Sequence, residues 1–171
     1  MVLHPQARRA VAAHGDEMLV HDPAYDVAAA RAEARRVAAE EPREEVLEVR
    51  DVDADGVPCR WYRPAHRTDA LVIHLHGGGF VFNDVEVHDA AVRTFANRLG
   101  VPVLSVDYRR PPEHRFPAAP DDVDRVVAWV RAGGLGEVPR LVVHGDSAGA
   151  NLALVAALRN PGVFEATVLN S

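Results

Sequence analysis

The sequence predicts an α/β fold built on a mostly parallel sheet, and three observations predict it. From residue 70 onward, short apolar runs alternate with segments of helical pattern, as parallel strands joined by crossover helices require. One such run, Ala70–Leu75, ends in His76-Gly77-Gly78-Gly79. Another, Leu141–Val143, runs through His144 into Gly145-Asp146-Ser147-Ala148-Gly149, and a helical segment follows at once.

The elements follow in order. Residues 5–14 read as a short helix. A second, denser in Ala, Arg and Glu, runs to Glu40; Asp22 is placed to cap it, Pro23 suits its first position and Pro42 stops it. Residues 45–63 read as a β-hairpin turning at Asp55-Gly56. Asp51, Asp53, Asp55 and Gly56 match the opening of a calcium loop, but the position that should supply a bidentate glutamate is Tyr62 and the flanks are strands. Acidic residues in a hairpin turn are the better reading. Ala70–Leu75 is a strand, Val85–Leu99 a helix closed by Gly100, and Val101–Val106 the next strand. A proline-rich loop spans Arg110–Pro120. The helix that ends it carries Val123, Val126, Val127 and Val130 on one face and stops at Gly133-Gly134. Leu141–Val143 leads to the serine, Ala148–Arg159 is helical, and Val163–Leu169 begins a sixth strand.

Composition narrows the function. The 171 residues suit one domain with a sizeable core, and 48% hydrophobic with 26% charged residues is the balance of a globular protein. A net charge of −6 without a basic block argues against nucleic acid as a partner. All 19 basic residues are arginine, which is read as a trait of genome composition. Cys59 stands alone, so no internal disulfide forms and a reducing compartment is indicated. The first residues carry no apolar signal core, and no apolar stretch is long enough to span a bilayer; a cytoplasmic location is expected.

Two motifs fit one reaction. A serine on a tight strand-to-helix turn is pushed out of the backbone, and Gly145 and Gly149 leave room for that turn. Ser147 is therefore read as a nucleophile. Its attack on an ester carbonyl places negative charge on the carbonyl oxygen, which preorganised N–H donors must hold. Gly78 and Gly79 are the candidate donors, joined by Ala148 and by the positive end of the helix it begins. His76, Gly77, Gly145, Asp146 and Gly149 support this geometry. His76, His88, His114 and His144 are given structural roles; His144 is too close in sequence to fold back onto Ser147. Phe80, Phe82 and Trp61 are candidate pocket residues, with core packing the competing explanation.

The stretches His76–Gly79, Asp107-Tyr108-Arg109-Arg110-Pro111-Pro112-Glu113-His114-Arg115-Phe116-Pro117-Ala118-Ala119 and Gly145–Gly149 resemble the hormone-sensitive lipase-like group of α/β-hydrolase esterases. The resemblance runs from about residue 45 to the end. In the middle motif, Arg110 and Pro111 replace the usual Leu-Ala. The resemblance implies an α/β-hydrolase fold with N-terminal cap helices over 1–43 and a core over 44–171. It implies serine-mediated hydrolysis of small carboxylic esters, with neither metal nor cofactor. It also requires an acid and then a histidine after the serine, yet the stretch from Ala148 to Ser171 holds only Glu165 and no histidine. The chain is expected to be the N-terminal part of a longer hydrolase, ending after the sixth strand. The alternative is a catalytically inactive interaction protein that self-associates through the exposed edge of that strand.

Overall fold

A computed structural model describes residues 4–13, 22, 24–66 and 68–171 of the chain. Six strands form one sheet in the order β1-β2-β4-β3-β5-β6. They are β1 (Glu48–Asp53), β2 (Pro58–Arg63), β3 (Ala70–Leu75), β4 (Val103–Val106), β5 (Arg140–Asp146) and β6 (Ala166–Asn170). β4, β3, β5 and β6 run parallel, while β1 and β2 join antiparallel at the other side. The helices are α1 (Pro5–Ala13), α2 (Val27–Ala39), α3 (Asp89–Leu99), α4 (Ala118–Arg131) and α5 (Ala148–Arg159). Among the described residues, no helix is long and apolar enough to cross a membrane.

Period-two alternation sorts the strands between two layers. Leu71, Ile73, Leu75, Leu141 and Val143 face a core shared with Val123, Val126, Val127 and Val130 of α4 and Leu152, Ala153 and Ala156 of α5. Val103 and Tyr62 pack instead with Val92 and Ala96 of α3, and Val72 joins them. Helices therefore cover both faces, as a parallel sheet needs.

The hairpin forms as expected. Ala54 and Val57 exchange backbone hydrogen bonds of 2.9 and 3.3 Å across Asp55 and Gly56, both left-handed. Its acids are spent locally: Asp53 Oδ1 accepts the Gly56 N–H at 2.8 Å, and Asp51 pairs with Arg60 at 2.7 Å. Several boundaries differ from expectation: β4 begins at Val103 and not Val101, β6 at Ala166 and not Val163, and the starts of α2 and α3 also move. The cap of α2 is Asp26, whose carboxyl accepts the Ala29 N–H at 2.9 Å. Asp22 instead accepts from Ala24 in a local turn ahead of the helix, and Pro23 and residue 14 lie outside the described residues. α3 begins at Asp89, because residues 85–88 form turns in which Asp84 accepts from the Glu86 and Val87 N–H groups.

Candidate active site

β5 delivers Ser147 at its carboxyl end, where open α/β sheets place their ligands. Ser147 has φ +50° and ψ −112°, a conformation that costs a non-glycine residue about 1–3 kcal/mol and persists only where packing over-determines it. Here the packing is backbone on backbone. A Cβ on Gly145 would collide with the Gly149 carbonyl, and one on Gly149 would collide with the carbonyl of Leu75 in β3. With β5, β3 and the start of α5 pressed together, Ala148, Gly149 and Ala150 are buried and Ser147 is left exposed.

The loop after β3 stands beside this turn, since Leu75 pairs with Gly145 in the register of the two strands. Gly78 has φ +119°, and a Cβ there would strike the Phe82 backbone. Its carbonyl accepts the N–H groups of Val81 at 3.1 Å and Phe82 at 2.7 Å, which curls the loop. In α5 the Ser147 carbonyl accepts from Ala150 and Asn151, so the Ala148 N–H belongs to the first-turn donors that a helix leaves unpaired. Gly78, Gly79 and Ala148 thus lie at one end of the sheet with Ser147.

His76 braces the loop from beneath. It is fully buried, donates from Nδ1 to the Gly77 carbonyl at 2.9 Å and stacks on Tyr108 with ring centroids 4.2 Å apart. The Tyr108 hydroxyl donates to the His76 carbonyl at 2.7 Å. Burial pushes the His76 imidazole down to about 3, so it stays neutral. Asp146 bridges the turn and the loop. Its Oδ1 accepts from Asn170 Nδ2 at 2.8 Å, and a Cβ on Gly77 would lie 2.6 Å from its Oδ2.

The other histidines the sequence singled out make contacts of their own. His144 points to the α3 face, its Nδ1 2.8 Å from that of His74. His88 stacks obliquely between His74 and His76, and His114 is exposed in the proline-rich loop. Glu165 pairs with Arg140 at the opposite end of β5. Among the described residues, no imidazole or carboxylate hydrogen-bonds the Ser147 hydroxyl.

The aromatic candidates separate. Phe80 borders a cavity of about 330 Å³ with Phe116, Asn151, Leu152 and Val155. Phe82 meets Tyr25 edge-on at 6.0 Å. Trp61 is a core residue and borders a different cavity with Ala70 and Pro102, at the amino end of the parallel strands. It does not border the cavity of Phe80: it pairs with Leu104 in the middle of β4 and its ring packs in the core.

Sequence reasoning missed Arg31, Arg35 and Asn170. Arg31 of α2 donates to the Val81 carbonyl at 2.8 Å and the Pro111 carbonyl at 2.6 Å, and pairs with Glu113 at 2.8 Å. Arg35 pairs with the buried Asp84 at 2.5 Å. In an arginine-rich helix, nothing local distinguishes these two from their neighbours.

Residues 72–165 match the family described as alpha/beta hydrolase fold. The chain is 36% identical over 140 residues to the carboxylic ester hydrolase LipN of Mycobacterium tuberculosis, covering 76% of this chain and 37% of that protein. It is 40% identical over 100 residues to hormone-sensitive lipase of Bos taurus, covering 56% of this chain and 13% of the relative. A hyperthermophilic esterase from the archaeon Pyrobaculum calidifontis superposes with a TM-score of 0.72 at 34% identity, over 99% of this chain and 57% of that one. The chain thus spans well under half the length of these curated relatives. A match over more than half of its residues makes the chain a member of the α/β-hydrolase family, in the group that contains hormone-sensitive lipase.

Proposed function

We propose that this chain carries the nucleophile and the oxyanion hole of a serine carboxylic ester hydrolase. Ser147 Oγ attacks the carbonyl carbon of a small ester, and the N–H groups of Gly78, Gly79 and Ala148 hold the developing oxyanion. The observation that carries this reading is the strained, exposed Ser147 at φ +50° beside a curled glycine loop. The esterase relatives support the substrate class. A net charge of −6 favours a small ester over a polyanion. Residues 1–43 act as a cap and 44–171 as the core, a division supported by the grip of Arg31 on both loops beside the site.

Hydrolysis of p-nitrophenyl butyrate tests the reading. With no base at Ser147 among the described residues, attack by its weakly nucleophilic hydroxyl should turn the ester over slowly. That residual rate should disappear in Ser147→Ala. An unchanged rate in Ser147→Ala would overturn the assignment. Fast turnover that depends on Ser147 would show that a histidine given a structural role here serves as the base.

A second reading is favoured by β6. It is the last strand in the sheet, and its Val168 and Leu169 are each 48% exposed. An open apolar edge pairs with another chain. Size-exclusion chromatography should show a dimer of the 171-residue chain; a monomer at all concentrations would sink this reading.

A further inference from the structure

We propose that Asn170 is a positioning residue for acyl transfer, fixing the Ser147 turn and the glycine loop relative to each other through Asp146. The proposal rests on the reading of Ser147 as the nucleophile. Asn170 ends β6 and pairs in register with Asp146 at the end of β5. It makes two different bonds there. Its carbonyl accepts the Ser147 N–H at 2.7 Å, a ladder bond that any residue at this position would make. Its side-chain Nδ2 donates to Asp146 Oδ1 at 2.8 Å, which needs a short side-chain donor at this position.

The second bond matters because of what Asp146 does with its other oxygen. Oδ2 occupies the space beside Gly77 that a Cβ would otherwise claim. The bond at one oxygen restricts the turning of the carboxylate and so favours the pose in which its second oxygen lies against the backbone of Gly77. That backbone leads directly into Gly78 and Gly79. The path Asn170–Asp146–Gly77 therefore joins the nucleophile's strand to the oxyanion donors without passing through the sheet. A catalytic arrangement must be held to about 0.5 Å, and a strained residue such as Ser147 keeps its pose only where neighbours over-determine it. Releasing Asp146 frees the distance between Ser147 Oγ and the Gly78–Gly79 N–H groups while leaving the ladder bond intact.

The test is the affinity of the 171-residue chain for butylboronic acid, followed by ¹¹B NMR. The boron accepts Ser147 Oγ, the hydroxyl proton passes to solvent, and the tetrahedral adduct puts an oxygen on the oxyanion donors. Adduct formation at equilibrium needs the geometry of these groups and no turnover. Wild type should bind and Ser147→Ala should not; adduct independent of Ser147 overturns the nucleophile reading and this proposal with it. With that control in place, Asn170→Ala should bind about fivefold or more weakly, with an unchanged thermal midpoint because the ladder bond remains. Asn170→Asp supplies a readout that a structural role would not move. Its carboxylate repels Asp146 where the amide held it, so Asn170→Asp should bind at least as weakly as Asn170→Ala. Binding by Asn170→Ala within twofold of wild type, or by Asn170→Asp more tightly than by Asn170→Ala, overturns the positioning role while leaving Ser147 as nucleophile.

Discussion

His74 and His144 face each other across β3 and β5 with their Nδ1 atoms 2.8 Å apart and their rings stacked at 5.0 Å. At that distance one nitrogen donates and the other accepts, so the bond requires the accepting ring to be neutral. Burial pushes both imidazoles below their usual value; His144 lowers His74 further, while His88 lowers His144 and Asp146 opposes it.

This pair makes the fold sensitive to acid. His74, His76, His88 and His144 all have folded values below 6.5, with His76 down to about 3. The unfolded chain binds the extra protons, so these groups contribute fully above pH 6.5 and their contribution falls as pH drops toward the folded values. Each loses about 1.4 kcal/mol per pH unit across its window. Asp107, which burial raises, opposes the trend only near its own carboxylate range; Asp84, held low by the Val87 N–H and Arg35, and Asp89, held low by Arg93 and Tyr62, add to the loss only below about pH 4. Urea midpoints should fall steadily between pH 6.5 and 4.5; a flat profile there would contradict the buried neutral cluster.

The glycines around Ser147 should differ sharply in cost. Gly145→Ala and Gly149→Ala force a methyl into backbone atoms, so each should lose about 3 kcal/mol or more. At Gly79, with φ +59°, a Cβ meets nothing, and alanine there should cost about 1–2 kcal/mol, the conformational penalty alone. Chemical denaturation of the three variants separates the two causes.

Ser147 stores strain that glycine relieves. Ser147→Gly should raise stability by about 1 kcal/mol, whereas Ser147→Ala keeps the Cβ and should gain nothing. Differential scanning calorimetry of the two variants measures the contrast; equal midpoints would show an unstrained turn.

Arg31 locks α2 to the loops beside the site. Arg31→Ala removes bonds to Val81, Pro111 and Glu113 and should cost about 2 kcal/mol of local stability, a roughly thirtyfold faster amide exchange across α2. Arg31→Lys should not rescue it, because an ammonium lacks the planar fork that reaches all three acceptors. Hydrogen-exchange mass spectrometry of residues 27–39 reports both.

Much of the site was legible in short stretches. The apolar runs at Ala70–Leu75 and Leu141–Val143 and the helical pattern of Val123–Val130 placed the sheet and its layers, because burial on a strand or helix has a fixed period. Gly145, Gly149 and Gly78 marked the turns, because the backbone there admits no side chain. One reading failed where local sequence was ambiguous: Asp22 and Asp26 are equally good caps by composition, and the fold chose Asp26. Another stayed open until the structure closed it: Trp61 is as aromatic as Phe80, and its packing places it in the core.

By itself, the sequence determined the α/β class, the strained serine turn and the glycine loop, since each depends on residues adjacent in the chain. Only the tertiary structure decided that His144 pairs with His74, that Arg31 grips Val81 from a helix fifty residues earlier, and that Asn170 reaches Asp146. These pairs join residues far apart in the chain or on separate strands. Their bonds exist because strand order and register bring the partners within 3 Å, and no local pattern encodes that.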